Sequence, residues 1–392
     1  MKYRYLSLLG ILFLTCSCSM KNNDDTGGGN NPPPVETEET LLPKVGEVRK
    51  WFDHGTIGES NFYNYCPSIM MENNKKHIYY CSNKIEGNVT DYIAYREATY
   101  DKTWSYSDIE FLLEPTPDTW DQRHTCDPSV IKGEFKYGEE TYNYMMAYLG
   151  CLTSDNSKNE VGIAVSKSPK GPWIKVNEIN PLVPYDRELA AWGTGQPSIV
   201  SVDKKGKVIL FYTVGNVNGS YTEAKQFDLS DLSKPQLLRT KKVPTFGILS
   251  HKNSYVITNA SFAYDEVNKK IIMAKGRLPF GEDLDTPNFI ADTIDVYYLD
   301  DSSSDNTSPF DEIFKGNNAG DWKLLGSIDE KLTSFKRNHN VGLVRDSYGR
   351  TLLNENKIEV AFTRSDLGSS APWTYLSTYR IYSTSFALDY DK

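Results

Sequence analysis

Five times along this chain a short phrase returns, each time opening a run of strand-forming residues. It reads CPSIMMEN from Cys66, DPSVIK from Asp127, QPSIVS from Gln196, NASFAY from Asn259 and NVGLVR from Asn340. The starts lie 61, 69, 63 and 81 residues apart. A unit of this length, built from short β-rich pieces, gains a core only by packing against copies of itself. Five copies predict an all-β chain folded as a five-bladed β-propeller. In such a ring the first residue of each phrase falls near the central axis, so the repeat also marks where a site should lie.

Within the first unit, CPSIMMEN reads as a strand, Asn73 to Lys76 as a hairpin turn and HIYYCSN as the returning strand. YIAYREATY supplies a third. The second unit repeats the scheme, with SPKGPW as the turn before an outer strand, and Trp104, Trp173 and Trp322 take comparable outer positions. Near the C-terminus STYRIYSTSFAL reads as a third strand of the last unit. The stretch from 182 to 194 is a long connection expected to shape the mouth of the axial pocket. The 26 Tyr, 16 Phe and 7 Trp suit half-buried pleated strands, and a minority can offer flat faces to sugar rings.

The N-terminus stands apart from this pattern. Lys2 and Arg4 precede an apolar run from Leu6 to Thr15, which has the length of a secretory leader. In LFLTCSCSMKNN the small residue before Cys18 resembles a bacterial lipobox, with Cys16 as the second choice. Residues 1–18 are therefore expected to be a lipoprotein signal, with lipidation at Cys18. Residues 19–44, rich in Asn, Gly, Pro and Glu, read as a flexible tether, and 45–392 as the propeller. The expected location is the cell envelope, lipid-anchored to the membrane. A net charge of -9 argues against nucleic acid as a partner.

Cys66, Cys81, Cys126 and Cys151 remain, which allows three pairings, and a bridge between the first two blades is expected. A zinc site is disfavoured because no C-x-x-C spacing occurs. Around the phrase starts, Asp127 is the strongest candidate for chemistry, since Arg123 and His124 flank it in RHTCDPSV. His124 and His339 each stand beside a phrase start and are candidate proton carriers, an imidazole being suited to acid–base work near neutrality. Arg123, Gln196, Asn259, Asn340 and Trp192 are candidate substrate contacts. No metal ligands are assigned, although polar axis residues could hold a structural Ca²⁺.

The DPSV of the second unit, the PSI of the first and third, and the SKSPKGPW turn resemble glycoside hydrolase family 43 and its relatives in families 32, 62 and 117. The resemblance covers roughly residues 45 to 392. It implies a five-bladed propeller that cleaves glycosidic bonds of poly- or oligosaccharides, with acidic residues in blades one, two and three. Asp127 matches the second of these, while Cys66 and Gln196 stand where the others would be. Asp53, Glu97, Asp121, Asp186 and Glu188 are nearby acids that could replace them, and the family 117 pattern implies a histidine as proton donor. Two other readings compete: a non-catalytic carbohydrate-binding propeller, and a polysaccharide lyase built on Arg, His and Tyr. Two carboxyl groups facing one pocket would favour hydrolysis.

Overall fold

The computed structural model describes residues 42–51, 61–101, 103–153, 155–249, 255–277, 289–301, 308–352, 355–366 and 375–391. The expected leader, Cys18 and most of the tether lie outside these residues, as does Asp53. The first strand, β1 (Arg49–Lys50), is followed by blade one: β2 (Asn64–Glu72), β3 (Lys75–Asn83), β4 (Asp91–Asp101), and the short β5 (Thr103–Tyr106) and β6 (Glu110–Leu113), both paired with β4. Blade two is β7 (His124–Tyr137), β8 (Glu140–Cys151), β9 (Glu160–Ser166) and β10 (Ile174–Lys175). Blade three is β11 (Ala190–Ser201), β12 (Lys207–Asn216), β13 (Gly219–Asp228) and β14 (Gln236–Lys242). Blade four is β15 (Ala260–Asp265), β16 (Lys270–Arg277), β17 (Thr293–Asp300) and β18 (Lys323–Ile328). Blade five takes β19 (Arg337–Asp346), β20 (Lys357–Ser365) and β21 (Arg380–Ala387). Two short α-helices interrupt the strands, α1 (Asp311–Phe314) and α2 (Glu330–Thr333).

The chain therefore forms the five-bladed β-propeller that the repeat predicts. Inner strands are buried on both faces and read as continuous apolar runs, as in β3 and β15. The outer strand β14 is exposed along nearly its whole length. Apolar clusters fill the spaces between neighbouring blades. Phe211 of blade three stacks on Phe262 of blade four at 3.9 Å between ring centroids. The first hairpin is tighter than its sequence suggested: Glu72 pairs with Lys75, and Asn73 and Asn74 both take positive φ (52° and 60°). That geometry suits the right-handed twist of the flanking strands.

The ring closes between its first and last blades. β1 supplies the outer strand of blade five by pairing with β21, Arg49 opposite Ser383. β19 also pairs in parallel with β2, Val344 opposite Ile69. Leu42 is buried in the core between these blades, and Lys357 donates to its carbonyl at 3.2 Å. The folded unit thus begins at least three residues before the expected boundary at 45.

The phrases also hold the blades to one another. The hydroxyl of Ser129 accepts the N–H of Ile199 at 3.0 Å, Ser198 that of Phe262 at 3.0 Å, and Ser261 that of Leu343 at 3.1 Å. Each serine is the third residue of its phrase, and each N–H belongs to the fourth residue of the next. In blade five the third residue is Gly342, where an added Cβ would lie 1.9 Å from the Pro67 carbonyl oxygen. Backbone contact replaces the serine at the closure. Gly342→Ser, which copies the residue of the other four phrases, is accordingly expected to destabilise the protein by at least about 1 to 3 kcal/mol through overpacking. Urea unfolding of the variant beside the parent checks this.

Candidate functional site

The five phrase starts share one backbone conformation. Cys66, Asp127, Gln196, Asn259 and Asn340 have φ of 49°, 47°, 51°, 49° and 45°. None is glycine, so each holds a left-handed conformation that side chains rarely adopt. The cause is visible in four of the blades, where the ladder slips by one residue between Tyr65 and Ser68, Cys126 and Ser129, Gly195 and Ser198, and His339 and Gly342. Each slip is a β-bulge, which re-aims a side chain out of the sheet. Cys66, Asp127, Gln196 and Asn259 line an axial space of about 30 Å³, room for a water or two. The Asn259 amide donates to Asn340 Oδ1 and so ties blade four to blade five.

Arg345 is buried on this axis. Its guanidinium donates to the Ile199 carbonyl at 3.1 Å, the Phe262 carbonyl at 2.7 Å and the Ser129 hydroxyl at 3.3 Å. Burial lowers its pKa to about 10. A Ca²⁺ ion needs six to eight oxygen ligands. The axial ring offers a single carboxylate, Asp127, with a thiol at Cys66 and a guanidinium on the Ser129 side. This donor set does not fit the cation.

Above the ring opens a cavity of about 400 Å³. Of the residues singled out in the sequence, it brings together Arg123, His124, Asp127, Trp192, Gln196, His339 and Asn340. Asn259 lies instead on an adjoining lobe of about 470 Å³, which shares Trp192, Gln196 and His339 with the first. Tyr63, Tyr65, Tyr375 and Tyr379 complete the wall of the first lobe.

A second carboxylate, Asp91, faces the same cavity. It opens β4, accepts the Tyr63 hydroxyl at 2.8 Å and lies 3.0 Å from Nδ1 of His124. That ring nitrogen is also 3.1 Å from the Asp91 N–H. When Nδ1 carries a proton it donates to the Asp91 carboxylate; when it does not, it accepts the Asp91 N–H. Either state fixes the imidazole. The acids named as replacements are engaged elsewhere. Asp121 is buried against Lys175 (2.5 Å), Thr119 and Tyr148, Glu97 pairs with Lys75 at 2.7 Å, and Asp186 accepts the N–H of Glu188. Glu188 is exposed and does not line the cavity either.

Asp127 is enclosed by sulfur. The expected bridge between blades one and two is Cys81–Cys126, leaving Cys66 and Cys151 as buried thiols. The Asp127 N–H donates to Cys81 Sγ at 2.9 Å, and the Tyr65 hydroxyl lies 3.1 Å from Cys126 Sγ. Burial raises the Asp127 carboxyl from 3.8 to about 6, opposed by hydrogen bonds from the Cys66 thiol and the Gln196 N–H and reinforced by Asp91. Burial likewise pushes the Cys66 thiol well up. His339 differs from the proton carrier anticipated for it. Burial, with the nearby Arg337 charge, lowers its pKa to about 3. Its Nδ1 accepts the Ala291 N–H at 3.1 Å, so the neutral ring presents Nε2–H as a donor.

No protein-family profile matches this sequence, and no curated protein matches it. Solved structures do share its fold. Zg3597, a family 117 glycoside hydrolase of the marine bacterium Zobellia galactanivorans, superposes with a TM-score of 0.55 at 14% identity, covering 90% of this chain and 92% of that one. A putative exo-beta-1,3-galactanase from Bifidobacterium bifidum gives 0.51 at 12%, covering 84% and 94%. A family 62 hydrolase in complex with xylotriose gives 0.50 at 9%, covering 86% and 95%. At these identities the likeness is one of fold: the propeller is the one these glycoside hydrolases use.

The raised Asp127 carboxyl has a measurable consequence for stability. The folded protein holds this proton more tightly than the unfolded chain, so the contribution is complete below about 3.8 and is lost as pH rises through about 6. The swing is on the order of 2 to 3 kcal/mol. Asp127→Asn removes this titration, so relative to the parent it should gain that amount between about pH 4 and about pH 8. Urea unfolding at the two pH values measures it, and a constant difference would mean the carboxyl is not desolvated.

Proposed function

We propose that this protein is an exported, lipid-anchored glycoside hydrolase that cleaves poly- or oligosaccharides in the cavity at the propeller axis. The observation that carries the reading is a pair of carboxyl groups, Asp91 and Asp127, on one cavity wall, with proton affinity raised at Asp127. Hydrolysis of a glycoside needs one group to protonate the departing oxygen and another to activate water or attack. Asp127, with a pKa near 6, is the proton donor in this scheme. Asp91, held by Tyr63 and His124, acts on the water. His339 Nε2–H, Gln196 and Asn340 hold sugar hydroxyls, and the exposed Arg123 stands at the rim. A lyase has no need of a second acid, so the pair favours hydrolysis. The fold shared with family 117 and family 62 enzymes supports the same class.

Turnover of aryl glycosides and plant or algal oligosaccharides, followed by reducing ends, tests the reading. Because Asp127 must be protonated, kcat/KM should fall as pH rises through about 6. Asp127→Asn should lower the rate by about 10² to 10⁴ while the protein still melts cooperatively. Binding without turnover would make this a carbohydrate-binding propeller, and release of unsaturated uronates a lyase.

The anchor is tested separately. Cys18→Ser should move the protein from the membrane to the soluble fraction; a lipidated, membrane-bound variant would point to Cys16.

A further inference from the structure

We propose that the second lobe of the cavity holds the leaving-group end of the substrate, as an uncharged sugar unit stacked on Trp192. The inference rests on the hydrolase reading, and it adds the length and charge of the substrate. The two lobes meet at Asp155, Asn156, Trp192, Gln196, Phe289 and His339, so a chain lying in both would cross the axis with its scissile bond near Asp127.

Trp192 is built as a platform. Its indole lies over Gly195 and Gly215, where an added Cβ would come within 2.7 Å and 3.1 Å of the tryptophan side chain. Its carbonyl accepts the backbone N–H of Asn159 at 3.0 Å and the side-chain amide at 2.9 Å. Gly193 packs against the Asn159 backbone with φ of 104°, so the segment cannot shift. The side chain thus packs closely on two glycines and on the cluster around Leu149, and the residue borders both lobes. A rigid aromatic face of this kind suits the apolar face of a sugar.

Beside it, Gln196 Oε1 is buried without a hydrogen-bond partner. An unsatisfied buried acceptor costs about 1 to 3 kcal/mol, and a sugar hydroxyl at the junction of the lobes would satisfy it. The rest of the second lobe offers hydroxyls and amides: Thr213, Ser220, Thr258 and Asn259. Among its described residues the one charged group is Asp155, which lines the first lobe as well and is kept ionised by hydrogen bonds from Thr153 and Ser157. With no cation among the described residues of this lobe, a uronate or sulfated unit is repelled and a neutral sugar accepted. In the reaction the glycosidic C–O bond breaks, the Asp127 proton goes to the departing oxygen, and water gives one proton to Asp91 and its hydroxyl to the anomeric carbon.

The test compares two substrates with the same glycone: glycosyl fluorides of arabinofuranose, xylose and galactose, and the matching neutral oligosaccharides. Fluoride is a single-atom leaving group and needs no second lobe. Ser220→Tyr, on the exposed start of β13, fills that lobe, and Trp192→Leu removes the platform. Each should lower kcat/KM on the oligosaccharide at least tenfold more than on the fluoride. Equal losses on both overturn the proposal, as does wild-type hydrolysis of uronate-bearing oligosaccharides as fast as neutral ones. If the wild type turns over nothing but binds a neutral oligosaccharide calorimetrically, with weaker affinity in Ser220→Tyr, the hydrolase reading fails and the lobe assignment stands. No binding to any of these sugars overturns both.

Discussion

The left-handed residue at the head of each blade is the constraint on which the rest of the molecule depends. A regular inner strand would satisfy its polar groups within its own blade and leave neighbouring blades joined only by apolar contact. The left-handed residue turns its side chain to the axis, in four blades within a bulge, and in three blades the N–H three residues further on faces the preceding blade. Serine hydroxyls of the preceding blade take up that N–H at three of the junctions. Each such bond contributes about 1 kcal/mol, and an N–H left unpaired would cost more than that. A non-glycine residue in this conformation costs roughly 1 to 2 kcal/mol. The strain and the inter-blade bonds are therefore two consequences of one backbone feature, and the same feature delivers Asp127 to the cavity.

Closure uses different chemistry from the other junctions. Lys76 of blade one and Glu359 of blade five form an ion pair at 2.6 Å, both almost fully buried. The ammonium also sits between the Trp51 and Trp104 rings, 4.6 and 4.4 Å from their centroids. Taking two charges out of water is costly, and the pair contributes orientation more surely than net stability. It fixes which strands meet at the last junction, where Gly342 lets the backbone approach Pro67. Arg345 extends the same role across the axis by binding carbonyls of blades three and four at once.

Much of this was legible in the sequence because the bulge recurs with its own phrase. The blade count, the inner strands and the position of Asp127 all follow from a phrase that reads X-Pro-Ser three times and recurs in altered form as NAS and NVG, while the turn before Trp173 is marked by SPKGPW. Asp91 is not marked by the phrase, which heads first strands only, whereas Asp91 heads β4. First and third strands of a blade run the same way, so the start of β4 reaches the same face as the start of β2, and Asp91 could have been sought there. The cysteine pairing was open among three choices, and side-chain direction decides it: the bulge sends Cys66 to the axis, while Cys81 and Cys126 meet between strands. The neutrality of His339 follows from enclosure by blades far apart in sequence, which no local pattern reports.

Cysteine at position 66 alters the electrostatics that a carboxylate there would create. Two carboxylates side by side on the axis would share a proton, and the affinity of each would be set by the other. With a thiol in that place, Asp127 gains a donor and loses a competitor, since Cys66 hydrogen-bonds to it and opposes the rise in its pKa. The remaining rise comes from burial first and from Asp91 second. The proton at Asp127 is therefore governed by how completely the cavity excludes water. A sugar seated against Tyr65, Trp192 and Tyr379 would remove more water from this carboxyl and tighten its hold on the proton. Substrate binding itself would then keep protonated the acid that the reaction needs.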